Sequence, residues 1–198
     1  MKATMEQVDF VKQMKQGNVC GFDTMYEKYK NQAMRMAYLI AGNYADAEDI
    51  LQEAFVKCYC NIHKLKEEDK FQSWFFQLLT RTAWRYCKKR QKEQPVEEIF
   101  DIRNTRDTHT GASALEQILQ SERTSILMDA ISSLVVKQRT VVILYYYNQL
   151  SLSEIAEVMK CSIGTVKSRL FVARNHLRGI YSLYDYEEET YYVSGERI

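Results

Sequence analysis

The residues best equipped for chemistry in this sequence are basic and aromatic, and they fall in two clusters. The first runs through Trp74, Arg81, Arg85, Lys88, Lys89, Arg90 and Lys92, with Trp84 and Tyr86 interleaved. The second holds Lys167, Arg169 and Arg174 beside Phe171 and Val172. Cationic side chains neutralise phosphates, and flat rings stack on unpaired bases. These types therefore offer recognition of a nucleic acid rather than bond making. A basic helix end can also simply complement the helix dipole, with its aromatics in a core. No catalytic set competes. His63, His109 and His176 lie in three separate segments, and no Gly-rich phosphate loop, HExxH or nucleophile-elbow motif occurs. Cys58, Cys60 and His63 are close in sequence, but on a helix Cys58 and Cys60 point about 200° apart. No metal and no cofactor is expected. The five cysteines are odd in number and contain no CxxC, which argues against a disulfide framework.

The second cluster sits on a helix-turn-helix. Ser151 opens a helix, and Glu154 three residues later completes a capping box. Leu152, Ile155, Ala156 and Met159 form its buried side. Lys160-Cys161-Ser162 makes the turn, and Ser162 caps the next helix. There Ile163, Val166, Leu170, Ala173 and Leu177 form one tight seam. At 100° per residue, Gly164, Ser168, Phe171, Val172 and Asn175 point away from it, with Lys167, Arg169 and Arg174 on the flanks. Flanking charges suit phosphates, and a small polar residue, an aromatic and a Val suit base edges and thymine methyls. An ordinary bundle helix would explain the charges but not an outward Phe171 beside Val172.

The first cluster closes an N-terminal helical block. Phe22, Met25, Tyr29, Ala33, Met36 and Ile40 recur at helical spacing, and Gly42 stops that helix. Asp46 is expected to cap a second helix with the stripe Ala47, Ile50, Leu51, Ala54, Cys58, Ile62 and Leu65. Its other face carries Asp49, Gln52, Glu53, Val56 and Tyr59. An acidic and apolar outward face fits a protein-binding surface, or a solvated helix face. Lys66 to Lys70 reads as a loop. A third helix follows from Phe71 to about Gln91, with the seam Phe71, Phe75, Leu78, Thr82 and Tyr86.

Seven Gly and the single Pro95 in 198 residues suit an all-α chain. Two small helical domains joined by a flexible linker are expected, spanning 1–93 and 123–180, the second containing the helix-turn-helix. The net charge of +1 hides strong segregation. Residues 1–93 carry sixteen basic against twelve acidic side chains, and 123–180 carry eight against three. Between them, 94–122 is an acidic linker with two basic and six acidic residues, and helical pattern returns near Leu115. The tail, 181–198, is acidic and rich in tyrosine. No run of about 18 apolar residues occurs, so no membrane insertion is expected. MKATMEQVDF lacks the apolar core of a signal peptide, so the expected compartment is the cytoplasm.

Three phrases in order carry a resemblance. Asp46-Ala-Glu-Asp-Ile-Leu-Gln-Glu-Ala-Phe55, then Phe71-Gln-Ser-Trp74 with its basic helix, then Leu134 to Arg139 with Leu150-Ser-Leu-Ser-Glu-Ile-Ala156 and Gly164-Thr-Val-Lys-Ser-Arg169, resemble bacterial RNA polymerase sigma factors of the extracytoplasmic-function (ECF) type. The resemblance covers nearly all of 20–92 and 123–178. It implies a non-enzymatic factor that binds core RNA polymerase and directs promoter recognition and initiation. It implies that Asp46, Asp49, Gln52, Glu53 and Val56 meet the polymerase, at the coiled coil of its largest subunit, with the flap as a further contact. The loop Lys66–Lys70 would capture a flipped base of the −10 element through Lys66 and Lys70, Arg81, Arg85 and Lys88 would hold the melting strand, and Trp74 and Lys89 would be further −10 contacts. Ser162, Thr165, Lys167, Ser168, Arg169, Phe171 and Arg174 would engage the −35 duplex. An anti-sigma factor is implied as a regulator. The sequence departs from the family pattern at Val135, where Pro is usual, at Lys160, where a turn Gly is common, and at Arg81, where Asn is usual. The residues alone leave open a helix-turn-helix regulator whose N-terminal block senses a partner.

Overall fold

Asn18, Asn43, Ser151 and Ser162 cap helix starts, and Gly42 ends a helix. The computed structural model describes residues 5–93 and 122–194, with side chains over 8–92 and 127–180. The expected linker over 94–121, and the return of helical pattern near Leu115, lie outside the described residues. Helix α1 (Met5–Lys15) leads through Gly17, at φ +77°, into α2 (Val19–Ala41). Asn18 caps α2, its side-chain oxygen accepting from the Cys20 N–H at 3.0 Å. Gly42 ends α2 in the left-handed conformation, φ 84°, with its N–H on the Tyr38 carbonyl.

Helix α3 (Tyr44–Asn61) starts two residues after that stop. Its cap is Asn43 rather than Asp46. Asn43 is in extended conformation and its Oδ1 accepts from the Asp46 N–H at 2.8 Å, while its Nδ2 donates to the Asp46 carboxylate at 2.7 Å. Asp46 thus lies inside the first turn, where its charge complements the helix dipole. The segment read as a loop contains a single 3-10 turn, Glu68–Lys70, which feeds α4 (Phe71–Glu93).

One side of α4 buries Phe71, Phe75 and Thr82, as the seam requires, with Leu78 and Tyr86 only partly covered. Phe10, Tyr29, Phe71 and Phe75 pack as an aromatic cluster, with Phe10 edge-on to Phe71 at 5.3 Å. The close approach of α1 to α2 depends on Gly21. A Cβ there would sit 2.7 Å from Gln13 Cβ and 2.7 Å from the Phe10 carbonyl oxygen. Since two of the three close contacts are backbone, the Phe10 carbonyl oxygen and the Met14 nitrogen at 2.9 Å, relief requires shifting α1. Gly21→Ala is expected to destabilise the fold by about 1–3 kcal/mol, read from the urea midpoint.

The second half comprises α5 (Glu122–Ser133), α6 (Val136–Val142), α7 (Leu152–Met159) and α8 (Ile163–Ser194). A widened π turn, Ile143–Tyr147, extends α6 and closes with the Asn148 N–H on the Ile143 carbonyl. Helix α8 runs on to Ser194 instead of stopping near Arg178. Nothing between Tyr181 and Ser194 is a Gly or Pro, so the chain has no local reason to break there.

The two halves share one continuous hydrophobic core. Phe76, Leu79, Thr80 and Ala83 are fully buried on α4 in addition to the expected seam, Phe76 with its ring 6.4 Å from that of Tyr29 on α2. Across this junction the Trp84 indole N–H donates to Thr140 Oγ1 at 3.0 Å, and Gln77 Nε2 donates to the Glu157 carbonyl at 2.9 Å. Arg139 is buried at the junction too, with Nη1 donating to the Ile40 carbonyl at 2.9 Å and Nη2 to the carbonyls of Ser132 and Leu134. Among the described residues every regular element is helical, and none is long and apolar enough to cross a membrane.

Candidate nucleic-acid interface

The helix-turn-helix is built locally as its residues dictate. Ser151 and Glu154 form the full capping box: the Ser151 N–H donates to the Glu154 carboxylate at 2.8 Å, and the Ser151 Oγ accepts from the Glu154 N–H. The Ser151 hydroxyl also donates to that carboxylate and holds the Glu154 carboxyl below its ordinary value. Ser162 accepts from the Thr165 N–H at 3.1 Å, and the two hydroxyls meet at 2.9 Å. Val166, Leu170 and Ala173 are buried as expected. Ile163 is not: it is 45% exposed, because the first residue of α8 projects beyond the face that α7 covers.

Lys160 ends α7 at φ 48°, ψ 55°, the left-handed region. For a residue with a Cβ that conformation costs about 1–2 kcal/mol. Lys160→Gly is therefore expected to stabilise the protein by roughly 0.5–1 kcal/mol, seen as a higher melting temperature.

On the outer side of α8, Phe171 is 66% and Val172 45% exposed, and Gly164, Lys167, Ser168, Arg174 and Asn175 are exposed with them. Arg169 is half-buried, with its guanidinium 3.9 Å from the Cys161 sulfur. Thr165 is half-buried too. Arg174 rests on Tyr145 and Tyr146, a contact that sequence spacing did not reveal.

The first basic cluster also lies as a strip. Trp74, Arg81, Arg85 and Lys88 fall within about 60° of one another around α4. Arg81, Arg85, Lys88 and Lys89 are exposed and Trp74 is half-buried. Trp74 meets the loop: it lines a cavity of about 220 Å³ together with Lys66, Lys70, Ser73, Gln77 and, from α7, Glu157. The loop lysines and Trp74, which the sequence left as separate −10 candidates, are thus brought to one place. Lys70 pairs there with Glu67 at 2.9 Å.

On α3, Asp49, Gln52, Val56 and Tyr59 are exposed, Val56 by 56%. Glu53 differs from its neighbours. Its carboxylate is paired with Lys57 at 2.6 Å and with Arg85. Burial pushes the Glu53 carboxyl up, but Lys57 and Arg85 together hold it below its ordinary value. Asp46 likewise faces Arg90 at 3.6 Å. Two acidic residues of the α3 face therefore reach across to the basic strip of α4. Cys58 is buried and Cys60 exposed, and burial pushes the Cys58 thiol up to about 12.

Comparison with known proteins places these features in one family. The Sigma-70 region 2 model matches residues 25–93, and the Sigma-70, region 4 model matches 124–177. The chain is 30% identical over 173 residues to the ECF RNA polymerase sigma factor SigW of Bacillus subtilis, a match covering 85% of this chain and 92% of the relative. It is 31% identical over 173 residues to the ECF RNA polymerase sigma-E factor of Haemophilus influenzae, covering 83% and 89%. In fold it is similar to the sigma factor RpoE of Bartonella quintana, solved in complex with the anti-sigma factor NepR, with TM-score 0.65 at 22% identity and coverage of 81% and 96%. With a relative above 30% identity spanning most of both chains, and with both region models matched in order, the chain belongs to the ECF RNA polymerase sigma factors of the sigma-70 family.

Proposed function

We propose that this sigma factor performs promoter recognition through three separate surfaces and carries no catalytic site of its own. The exposed Asp49, Gln52 and Val56 on α3, with Asp46 and Glu53 behind them, bind core RNA polymerase at the coiled coil of its largest subunit. The second half reaches the flap. The cavity between Lys66, Lys70 and Trp74 takes an unstacked base of the −10 element, and Arg81, Arg85, Lys88 and Lys89 hold the melted strand. The outer face of α8, with Lys167, Ser168, Phe171 and Arg174, reads the −35 duplex. Ser162 and Thr165 present the helix N-terminus to phosphate, and Arg169 adds charge at the flank. The working units are 1–93 and 123–180, joined by the acidic strip 94–122, and the site of action is the cytoplasm. An anti-sigma protein covers these faces when the factor is silent.

The observation that carries this reading is the combination of an outward Phe171 and Val172 with flanking cations on a capped second helix, in a chain whose other half carries a separate basic and aromatic strip. A simple helix-turn-helix regulator has no use for the second strip. Its rings and charges suit single-stranded nucleic acid. The test is capture of the purified full chain by core polymerase. Capture at submicromolar affinity is expected. Stable duplex binding as a dimer, with no capture by core enzyme, would favour the regulator instead.

A further inference from the structure

The contact between Arg174 and the π turn has no part in the helix-turn-helix as such. We propose that Tyr146 is a positioning residue that holds Arg174 as a clamp for a backbone phosphate of duplex DNA, an inference that rests on α8 being the duplex-reading helix. Arg174 Nε donates to the Tyr146 hydroxyl oxygen at 2.8 Å. The guanidinium carbon also lies 5.3 Å from the Tyr145 ring centroid and 5.5 Å from that of Tyr146. The two rings meet edge to face, 5.0 Å apart at 82°, and so form a corner around the cation. A guanidinium has five N–H donors in a rigid fork. With Nε engaged, the four Nη hydrogens remain to grip an oxyanion, and the plane of the fork is already set.

The partners of Arg174 are neutral, and this is the informative point. Arg85, Arg90 and Lys57 each face a carboxylate. Among the described residues no carboxylate is paired with Arg174. A phenol and two ring faces restrain the side chain without cancelling its charge. Arg139 also lacks a carboxylate, but it is buried and spends its Nη groups on backbone carbonyls, whereas Arg174 is exposed and keeps its charge for an external anion.

The placement suits a phosphate rather than a base. Arg174 follows Lys167 by seven residues, so the two lie about 20° apart in azimuth and about 10 Å apart along α8. They form one edge of the strip that Ser168 and Phe171 occupy, and a DNA strand bordering the groove runs along such an edge. The π turn makes the contact possible. It keeps Ile143 and Leu144 in the core while Tyr146 stands 55% exposed beside α8.

Phosphate contacts are sequence-independent, so the probe is a mixed-sequence DNA duplex of about 20 base pairs, titrated with the full chain across a salt series. Arg174→Ala is expected to reduce the slope of log affinity against log salt by about 0.9, one phosphate. Tyr146→Phe keeps the rings, removes the hydrogen bond, and should weaken binding about three- to tenfold with the slope unchanged. Tyr146→Glu should lower the slope as Arg174→Ala does, because it supplies the missing counter-charge. In the Arg174→Ala background, Tyr146→Phe should have no effect. If Arg174→Ala proves unfolded by its melting curve, Arg174→Gln takes its place. A Tyr146→Phe effect that persists without Arg174, or an unaltered slope in Arg174→Ala, would overturn the clamp while leaving duplex binding intact. No duplex binding by the wild-type chain at low salt would overturn both the clamp and the reading of α8.

Discussion

Asp49→Lys is expected to weaken binding to core RNA polymerase by about a hundredfold or more, since placing like charges across an interface costs several kcal/mol. Asp49 is exposed on α3, and at 100° per residue Asp49, Gln52, Glu53 and Val56 share an arc of about 100°. Val56, 56% exposed, adds apolar area at the centre of that arc. The change should leave the fold within about 0.5 kcal/mol of the wild type, as exposed positions usually do. Glu53→Lys would not isolate the same effect, because Glu53 already holds Lys57 and Arg85 and its reversal disturbs both α3 and the strip on α4. The measurement is a binding isotherm of each variant against core enzyme, with melting curves alongside. Wild-type affinity in Asp49→Lys would remove this face from the polymerase interface.

Arg139→Ala is expected to be the most disruptive change at the junction of the two halves. The side chain is 9% exposed and carries hydrogen bonds to the carbonyls of Ile40, Ser132 and Leu134. Its Nε has no partner, and burial pulls the guanidinium below its ordinary value, so the charge is held at a cost. Truncation empties the volume of a large side chain and takes the Arg139 donors from the carbonyls of Ser132 and Leu134, at about 1–3 kcal/mol each, while the Ile40 carbonyl keeps only the weak Cys87 thiol donor at 3.7 Å. A loss of roughly 3–5 kcal/mol follows. Because Ile40 belongs to the first half and Arg139 to the second, part of the loss should appear as separation of the halves. Urea unfolding of the variant should split into two transitions, and its radius of gyration in solution should rise. A single transition at the wild-type midpoint would show that Arg139 contributes nothing to the junction.

Local structure was legible in the sequence because local chemistry determined it. The capping box at Ser151 and Glu154, the Ser162 cap and the stop at Gly42 all arise from residues within a few positions of each other. The cap of α3 is Asn43 rather than the expected Asp46 for a related reason: both residue types suit a cap, and only the backbone after Gly42 decides between them. Long-range matters were not legible. Periodicity gave α4 one buried side, yet Phe76, Thr80 and Ala83 are also buried, because α4 is covered by α2, where Phe76 meets Tyr29, as well as by the second half at Gln77 and Trp84. Arg139 reads as an ordinary surface cation until its partner carbonyl, 99 residues away, is located. The ion pairs of Glu53 with Arg85 and of Asp46 with Arg90 join residues assigned to different surfaces, and spacing within one helix cannot reveal them. Lys160 was legible in type only: its departure from a turn glycine is visible in the sequence, and the φ of 48° shows what that departure costs.

The most direct test of three grips serving one promoter is transcription in vitro with purified core polymerase from the native organism and native genomic DNA as template. The full chain should start discrete transcripts that are absent with core enzyme alone. Asp49→Lys should abolish them through loss of core binding, and the double change Lys167→Ala and Phe171→Ala should abolish them with core binding retained. Absence of any new transcript with the wild-type chain, from a core enzyme that remains active under another sigma factor, would contradict the account.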